Sequence, residues 1–427
     1  MEKIFQLWLN ESLQRYGNNA AVEYGAGQAA VTATYAEISQ HANYIAHWLL
    51  AKGIKEETFI GIYTTDRVRL IETITGILKA RCVFVPLDPA HPDSRLASMV
   101  ETAEIKLVIC DDPEKHSFCQ NQALKDRGVV FMPFAAIFSG STSQADWYHE
   151  SPAMTYSPED KIYVYFTSGT TGKPKAIVGK NKSLFHFIEW EIETFAIKPG
   201  FRISQWITPG FDAYLRDIFT ALCSGGVVCI PPPGPGDTLL NPDELVAWTD
   251  SQRIDLIHCV PSVFRMLNSP TLTPAHFPNL KYILLSGEKV TPAMLENWFR
   301  VFGERIRLVN FYGPSETTMI KTFHPIQTDD LKRERIPIGK PIKGCRVVIL
   351  DDQMKICDQL VTGEIVIRTP YRTHGYYREA ELNREKFIPN PLSHDPHDIV
   401  FRTGDLGRFL PDGNIEFLGR KDRQVKI

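Results

Sequence analysis

The chain has 427 residues, 43% of them apolar and 23% charged, with a formal net charge of −3. That length exceeds one typical core and predicts two or three packed units. The near-balanced charge gives no electrostatic case for nucleic acid or an anionic membrane surface.

Residues 1–16 read as an amphipathic helix carrying Glu2 and Glu11 rather than a signal peptide, and no apolar run along the chain is long enough to span a membrane. Thr34-Tyr35-Ala36-Glu37 is a capping-box signature; Ile38, Ala42, Ile45 and Leu49 then share one helical face, and Gly53 closes the helix. A strand "FIGIY" (59–63), a helix over 68–80 and a strand "VFVPL" (83–87) follow. The alternation continues with "KLVIC" (106–110), "KIYVYF" (161–166), "GVVCI" (226–230), "DLIHCV" (255–260), "KYILLS" (281–286) and "IRLVNF" (306–311). Short apolar strands between helices predict parallel sheets covered on both faces, and so many strands predict two sheets. Residues 111–158 and 231–243 read as surface loops or boundaries. Past about residue 330, "CRVVIL", "GEIVIRT", "DIVFRTGDLGRFL" and "GNIEFLG" read as a small all-β barrel or sandwich. The eight cysteines (Cys82, Cys110, Cys119, Cys223, Cys229, Cys259, Cys345, Cys357) lack CxxC pairs or partner histidines, and several sit in apolar runs. They are expected to be buried free thiols in a reducing cytoplasm, neither a disulfide framework nor a zinc site.

The stretch "YFTSGTTGKPK" (165–175) has the composition of a phosphate loop and follows an apolar strand, where open α/β sheets bind ligands. Glycines let backbone N–H groups approach an anion, hydroxyls donate, and Lys173 and Lys175 add charge. It is not a Walker A loop: Gly169 and Gly172 stand too close and Pro174 follows the lysine.

This segment resembles the signature of the adenylate-forming superfamily. Seven further segments match the motifs of nonribosomal peptide synthetase adenylation domains in order: "TYAEI" (34–38), "ILKARCVFVPLDP" (77–89), "FDAYLRDIF" (211–219), "NFYGPSETT" (310–318), "GEIVIRTPYRTHGYY" (363–377), "FRTGDL" (401–406) and "GRKDRQVKI" (419–427). Ala176 departs from the family's usual glycine, which bears only on the local turn. The resemblance implies two interleaved α/β subdomains over residues 1–330 holding the ATP and amino-acid sites. It also implies a small β-barrel subdomain over 331–418 and a hinge over 419–427, with Asp422 at the hinge position. Family members continue into a mobile subdomain that carries the adenylation lysine. On this resemblance the chain is the large core cut at the hinge, with weak adenylation of its own; Lys426 would be a structural or second-step residue.

The implied reaction is ATP-dependent formation of an aminoacyl-AMP, in which positioning and electrostatics carry the rate. Thr167, Ser168, Gly169, Thr170, Thr171, Gly172, Lys173 and Lys175 would hold the β- and γ-phosphates, and Glu316 would hold Mg²⁺. Tyr312 would stack on the adenine, with Gly287 and Glu288 at its edge, and Gly313 is a further implied ATP-binding residue. Thr317 would touch the α-phosphate, Asp405 would accept the ribose hydroxyls, and Arg420 would lie nearby. Thr167, Lys173, Glu316 and Thr317 are thus the implied catalytic set. The bland alternatives are a hairpin turn at Gly404-Asp405 and a helix-start carboxylate at Glu316. The implied partners are the amino acid, ATP, a carrier-protein phosphopantetheine and neighbouring synthetase domains.

Asp212 follows the motif phenylalanine, where amino-acid-activating members pair an aspartate with the substrate ammonium; otherwise it would only cap the following helix. The pocket implied by the same alignment is Asp212, Ala213, Arg216, His258, Leu284, Ser286, Phe311, Met319 and Ile320. Arg216 and His258 are unusual there. In one reading Arg216 pairs with Asp212 along a helix face. In the other, Arg216 helped by His258 takes a substrate carboxylate, because an unpartnered pocket arginine is costly and guanidinium binds planar anions bidentately. The Asp-Ala-Arg-His opening also resembles pockets for aspartate-like or glutamate-like substrates. An acyl- or aryl-acid ligase, which has no reason to bury Asp212, and a non-catalytic nucleotide-binding module are the competing readings.

Overall fold

Thr34 and Glu37 form the capping box read from the sequence: the Thr34 amide donates to the Glu37 carboxylate at 2.7 Å, and the Glu37 amide donates to Thr34 Oγ1 at 3.2 Å. Both orphan donors at the start of the helix Tyr35–Ala51 are thereby satisfied. The computed structural model describes residues 4–25, 31–139, 147–168, 173–232 and 241–421.

The apolar strands gather into two sheets. The first has seven strands, ordered Gly375–Tyr376, Pro174–Lys180, Lys161–Ser168, Val83–Pro86, Phe59–Tyr63, Leu107–Cys110, Val130–Pro133. Its core is parallel; the pairs nearest the phosphate loop are antiparallel. The second has nine strands, ordered Lys340–Pro341, Thr322–Ile326, Arg307–Tyr312, Tyr282–Leu285, Leu256–Cys259, Arg202–Ser204, Val227–Ile230, Ala20–Tyr24, Val31–Thr34. Its middle is parallel, as continuous apolar strands between helices require. One apolar cluster joins the two sheets through the helices Tyr35–Ala51, Asn181–Thr194 and Tyr214–Ser224.

After residue 330, Arg346–Leu350, Gly363–Arg368, Phe387–Pro389, Ile399–Phe409 and Ile415–Arg420 form an antiparallel sheet of five strands, while Lys340–Pro341 and Gly375–Tyr376 join the two larger sheets. Ile399–Phe409 pairs with Gly363–Arg368 along one edge, and with Phe387–Pro389 and then Ile415–Arg420 along the other. Among the described residues these pairings form an open path. Residues 111–158 differ from the loop expected there. They contribute the edge strand Val130–Pro133 and short helices such as Gln122–Asp126 and Phe134–Phe138, none long enough to show a periodicity.

Tyr214–Ser224 is the helix that matters most for the site, since all eleven of its residues are buried. It ends at Gly225, whose φ of +78° lies in the left-handed region and whose missing Cβ would sit 2.5 Å from the Tyr16 ring. The first helix, Phe5–Arg15, fixes it from outside: the Phe5 and Phe219 rings meet edge-on at 4.7 Å. All eight cysteines are free and buried. No helix among the described residues is long and apolar enough to cross a membrane.

Candidate active site

Three parallel strands, Leu256–Cys259, Tyr282–Leu285 and Arg307–Tyr312, deliver their carboxyl ends to one place. That end of an open sheet is where loops and helix starts leave backbone donors exposed for ligands. Ser286, Gly287 and Glu288 follow the second strand, and Phe311, Tyr312 and Gly313 end or follow the third. Gly287 takes φ +89°, a conformation L side chains avoid. The Glu288 carboxylate accepts the Ser262 amide at 2.9 Å and its hydroxyl at 2.8 Å, so it is tied to the start of the helix Pro261–Leu267.

The strand Ile399–Phe409 of the antiparallel sheet contributes Asp405. Its carboxylate accepts the Tyr312 hydroxyl at 2.6 Å on one oxygen and Arg420 Nη1 at 3.0 Å on the other. Burial, then the Asp405 charge, hold the Tyr312 phenol far above the usual tyrosine range. Gly404 and Asp405 are therefore not a hairpin turn: they lie inside a strand, with Asp405 opposite Arg420 in the ladder. Gly404 needs φ +73°, and the Arg420 guanidinium stands 3.2 Å from where a Cβ would project.

Glu316 does not act as a helix-start cap either. Its Oε1 accepts the Tyr376 hydroxyl at 2.5 Å, and its carbonyl accepts from the Thr373 amide and hydroxyl at 3.1 and 2.7 Å. Tyr376 thus links the second sheet to the edge of the first. Thr317 is fully buried with its hydroxyl on the Pro314 carbonyl at 3.0 Å, so it does not offer that hydroxyl to a phosphate in this arrangement. The strands Lys161–Ser168 and Pro174–Lys180 pair as far as Ser168 opposite Pro174. Thr167 and Lys175 face each other across that ladder, and Lys173 is exposed. Gly169, Thr170, Thr171, Gly172, Asp422 and Lys426 lie outside the described residues.

On the amino-acid side, Asp212 precedes the helix Tyr214–Ser224. The N-cap is Ala213, without a side-chain cap bond, so the capping reading of Asp212 does not hold. Its carboxylate, after burial, keeps the Tyr163 phenol above its ordinary range. Arg216 is fully buried. Its Nη2 donates to Ser286 Oγ at 2.8 Å, its guanidinium lies 5.8 Å from the Phe311 ring centre, and Nε and Nη1 have no acceptor among the described residues. Among the described residues it has no carboxylate in ion-pair contact, which excludes the simple Asp212–Arg216 pair. Leu284, Met319 and Ile320 are buried, and Met319 is held at φ +59°.

His258 is the clearest departure from expectation. Both ring nitrogens are engaged: Nδ1 meets Asp217 Oδ1 at 3.0 Å, and Nε2 meets Glu191 Oε1 at 3.2 Å, all three side chains fully buried. No ring nitrogen remains for a substrate carboxylate in this arrangement, so His258 does not offer one the direct contact expected beside Arg216. Burial by itself would lower this imidazole; Glu191 and Asp217 hold it above the usual histidine value instead.

Sequence reading missed Glu191 and Asp217. A signal for Glu191 exists: Leu184, Phe187, Ile188 and Glu191 share the i, i+3, i+4, i+7 face of the helix Asn181–Thr194. Lys321 was missed as well. It is fully buried with Nζ on the Thr318 carbonyl at 2.9 Å, and burial pulls its ammonium below the ordinary lysine range while Cys345 and Asp212 push it back up.

Residues 9–377 match the AMP-binding enzyme family. The chain belongs to that family. It is 33% identical over 397 residues to gramicidin S synthase 2 of Brevibacillus brevis, covering 92% of this chain and 8% of the relative. It is 32% identical over 395 residues to bacitracin synthase 1 of Bacillus licheniformis, covering 92% and 7%. The chain therefore spans only a small part of these relatives. The nonribosomal peptide synthetase FmoA3 superposes with a TM-score of 0.85 at 25% identity, over 98% of this chain and 42% of that one. The N-terminal subdomain of Klebsiella oxytoca NpsA, solved with 3-hydroxybenzoyl-AMSN, gives 0.82 at 19% identity over 98% and 100%, a likeness of fold.

AMP-binding enzymes of the adenylation class are ATP- and Mg²⁺-using ligases, and FmoA3 is also known in an AMPPNP-bound form. The residues here fit Mg²⁺. Glu316 is one hard carboxylate whose second oxygen has no partner among the described residues, which suits an ion that takes one or two carboxylates and completes its shell with phosphate and water oxygens. When bound, the ion would supply charge neutralisation on the phosphates. Within this AMP-binding enzyme Tyr376 would orient the carboxylate, and Thr373 would fix the backbone behind it.

Proposed function

We propose that this AMP-binding enzyme converts ATP and an acidic amino acid to an aminoacyl-AMP and pyrophosphate, and passes the acyl group to a carrier-protein phosphopantetheine thiol. The observation that carries the substrate reading is Arg216, fully buried with two guanidinium nitrogens that lack acceptors among the described residues. A buried guanidinium with unused donors is costly on its own, and a planar carboxylate repays it with two charge-assisted bonds. Asp212, within a turn of Arg216 in sequence, would take the substrate ammonium. Tyr312, Gly313, Gly287 and Glu288 would hold the adenine, Asp405 and Arg420 the ribose, and Thr167, Ser168, Lys173 and Lys175 the distal phosphates, together with Gly169, Thr170, Thr171 and Gly172. Glu316 would hold Mg²⁺, Thr317 would turn toward the α-phosphate, and Ala213, Leu284, Ser286, Phe311, Met319 and Ile320 would wall the pocket. Carrier loading is supported by the multidomain synthetases among the relatives and by a solved fusion of an adenylation domain with a peptidyl carrier protein.

Amino-acid-dependent pyrophosphate exchange across a side-chain panel tests the substrate. Exchange should be strongest with aspartate- or glutamate-like amino acids and fall by roughly 100-fold or more in Arg216→Ala, the scale of breaking a buried charge pair. Strongest exchange with a bulky neutral amino acid, intact in Arg216→Ala, would sink the acidic reading. One observation favours a second reading: the buried Lys321 ammonium acts on Asp212 and could neutralise it, leaving room for an acid without an α-amine. Acceptance of coenzyme A and of acids lacking the amine separates that ligase from the first reading.

A further inference from the structure

Glu191 and Asp217 are fully buried and both feel the Arg216 charge, yet neither captures the guanidinium. Each is anchored elsewhere. Glu191 accepts the Thr220 hydroxyl at 2.6 Å, Asp217 accepts the Trp206 and Ile207 amides at 3.1 Å each, and His258 joins the two acids through its opposite nitrogens. The three residues come from separate elements: the helix Asn181–Thr194, the helix Tyr214–Ser224 and the strand Leu256–Cys259.

We infer that Glu191, His258 and Asp217 are positioning residues for Arg216, and that the single proton held on this bridge sets the charge the pocket presents to a substrate side chain. The inference rests on the acidic-substrate reading above. Count the charges with both carboxylates ionised and His258 protonated: −1, −1 and +1 leave the bridge at −1, matched by Arg216. Moving the proton across the 3.0 Å contact to Asp217 leaves the same −1. Losing it puts −2 beside one guanidinium. The two acids then compete for Arg216 and repel an arriving carboxylate, and in so dry a site that repulsion is barely screened.

The charged groups facing His258 are Glu191 from one helix and Arg216 and Asp217 from the other. On its own strand stands Cys259, kept a neutral thiol by burial, and opposite it in the neighbouring strand stands the apolar Leu284. Burial opposes the imidazolium, but Glu191 and Asp217 outweigh it and raise His258 above its ordinary value. The bridge therefore keeps its proton below that raised value and gives it up as pH climbs through it. Affinity for an anionic side chain should be complete on the acid side and lost on the alkaline side.

The test compares aspartyl- and asparaginyl-sulfamoyl-adenosine, isosteres that differ in side-chain charge, by calorimetry from about pH 6 to about pH 9, the range around an elevated histidine. The ratio of the two affinities cancels everything common to both ligands. In the wild-type chain the preference for the acid should fall by roughly tenfold per pH unit once the bridge titrates. His258→Gln removes the imidazole and leaves Asp217, whose carboxyl burial already holds above the usual range, to keep or lose a proton without it, so its pH profile should no longer follow that of the wild type. Glu191→Gln removes one negative charge, so its deprotonated bridge carries only the −1 of the protonated wild type, and the preference should persist at alkaline pH where the wild type loses it. A purely structural role predicts the opposite, that Glu191→Gln weakens the preference at every pH, and that result overturns the inference. So does a wild-type preference that is constant with pH. If His258→Gln fails to fold, the wild-type profile and Glu191→Gln still decide. A wild type with no preference for the acid at any pH removes the acidic-substrate reading itself.

Discussion

The proposed nucleotide side and the proposed side-chain pocket of this AMP-binding enzyme are built on opposite plans. On the nucleotide side the polar groups already satisfy one another: Tyr312 and Arg420 converge on Asp405, Tyr376 on Glu316, and Ser262 on Glu288. In the pocket a fully buried guanidinium keeps two nitrogens without acceptors among the described residues, beside a bridge of buried acids and an imidazole. A site for an invariant ligand can be pre-assembled from its own hydrogen bonds. A site that chooses among side chains gains selectivity from a group that only the right ligand completes, because leaving that group unmatched is what penalises the wrong one. The two halves should therefore fail differently. Changes on the nucleotide side should weaken activation of every amino acid alike; changes around Arg216 should re-rank them.

Asp405→Ala should give the largest loss on the nucleotide side. It removes the two hydrogen bonds that the Asp405 carboxylate accepts, from the Tyr312 hydroxyl and from Arg420 Nη1, while Arg420 keeps its bond to the Thr403 carbonyl at 2.9 Å. Arg420 is partly solvated, so the cost is that of hydrogen bonds to a charged group and not of a stranded buried ion. KM for ATP should rise about 10- to 100-fold. Pyrophosphate exchange with each amino acid in the panel should fall in parallel. A change in the ranking of amino acids would blur the division between the two halves.

Gly404→Ala is the next step down. A Cβ at φ +73° costs roughly 1–2 kcal/mol, and it would push on the Arg420 guanidinium, the flexible end of a side chain, 3.2 Å away. A melting curve should show a drop of a few degrees, with ATP affinity weakened and amino-acid ranking unchanged.

The same division explains what could be read from the sequence. The nucleotide side is assembled from short contiguous segments, "NFYGPSETT" and "FRTGDL", whose spacing survives as motif. The capping box at Thr34 and the strand Phe59–Tyr63 were legible for the same reason, being local. Pairing of Val22 with Val228 was not, because nothing near residue 22 specifies a partner two hundred positions away. Nor was the pocket bridge. "HFIEWEIET" reads as a solvated charged helix until the apolar face that carries Glu191 is aligned, and "LRDIF" shows its charges as buried only because the whole helix Tyr214–Ser224 is enclosed. Arg216 and His258 were recognised as unusual, but their partners lie on other elements. The raised His258 imidazole depends on that assembly, which no single segment shows.

Tyr376→Phe makes the finest cut on the nucleotide side. The hydroxyl donates to Glu316 Oε1 at 2.5 Å, and burial, followed by the Glu316 charge, holds the phenol protonated far beyond neutral pH, so it acts only as a donor here. Removing the oxygen leaves the ring packing and the Thr373 anchors of the Glu316 backbone in place. The expected loss is that of one hydrogen bond to a charged acceptor, about 1–2 kcal/mol, most of it in how well the carboxylate is aimed and not in the fold. It should surface as a higher Mg²⁺ requirement for exchange, roughly 5- to 30-fold on that energy scale, with the melting temperature nearly unchanged and the order of amino-acid preference intact. A loss of stability without any change in Mg²⁺ dependence would make Tyr376 a strut between the two sheets and would leave Glu316 to aim itself.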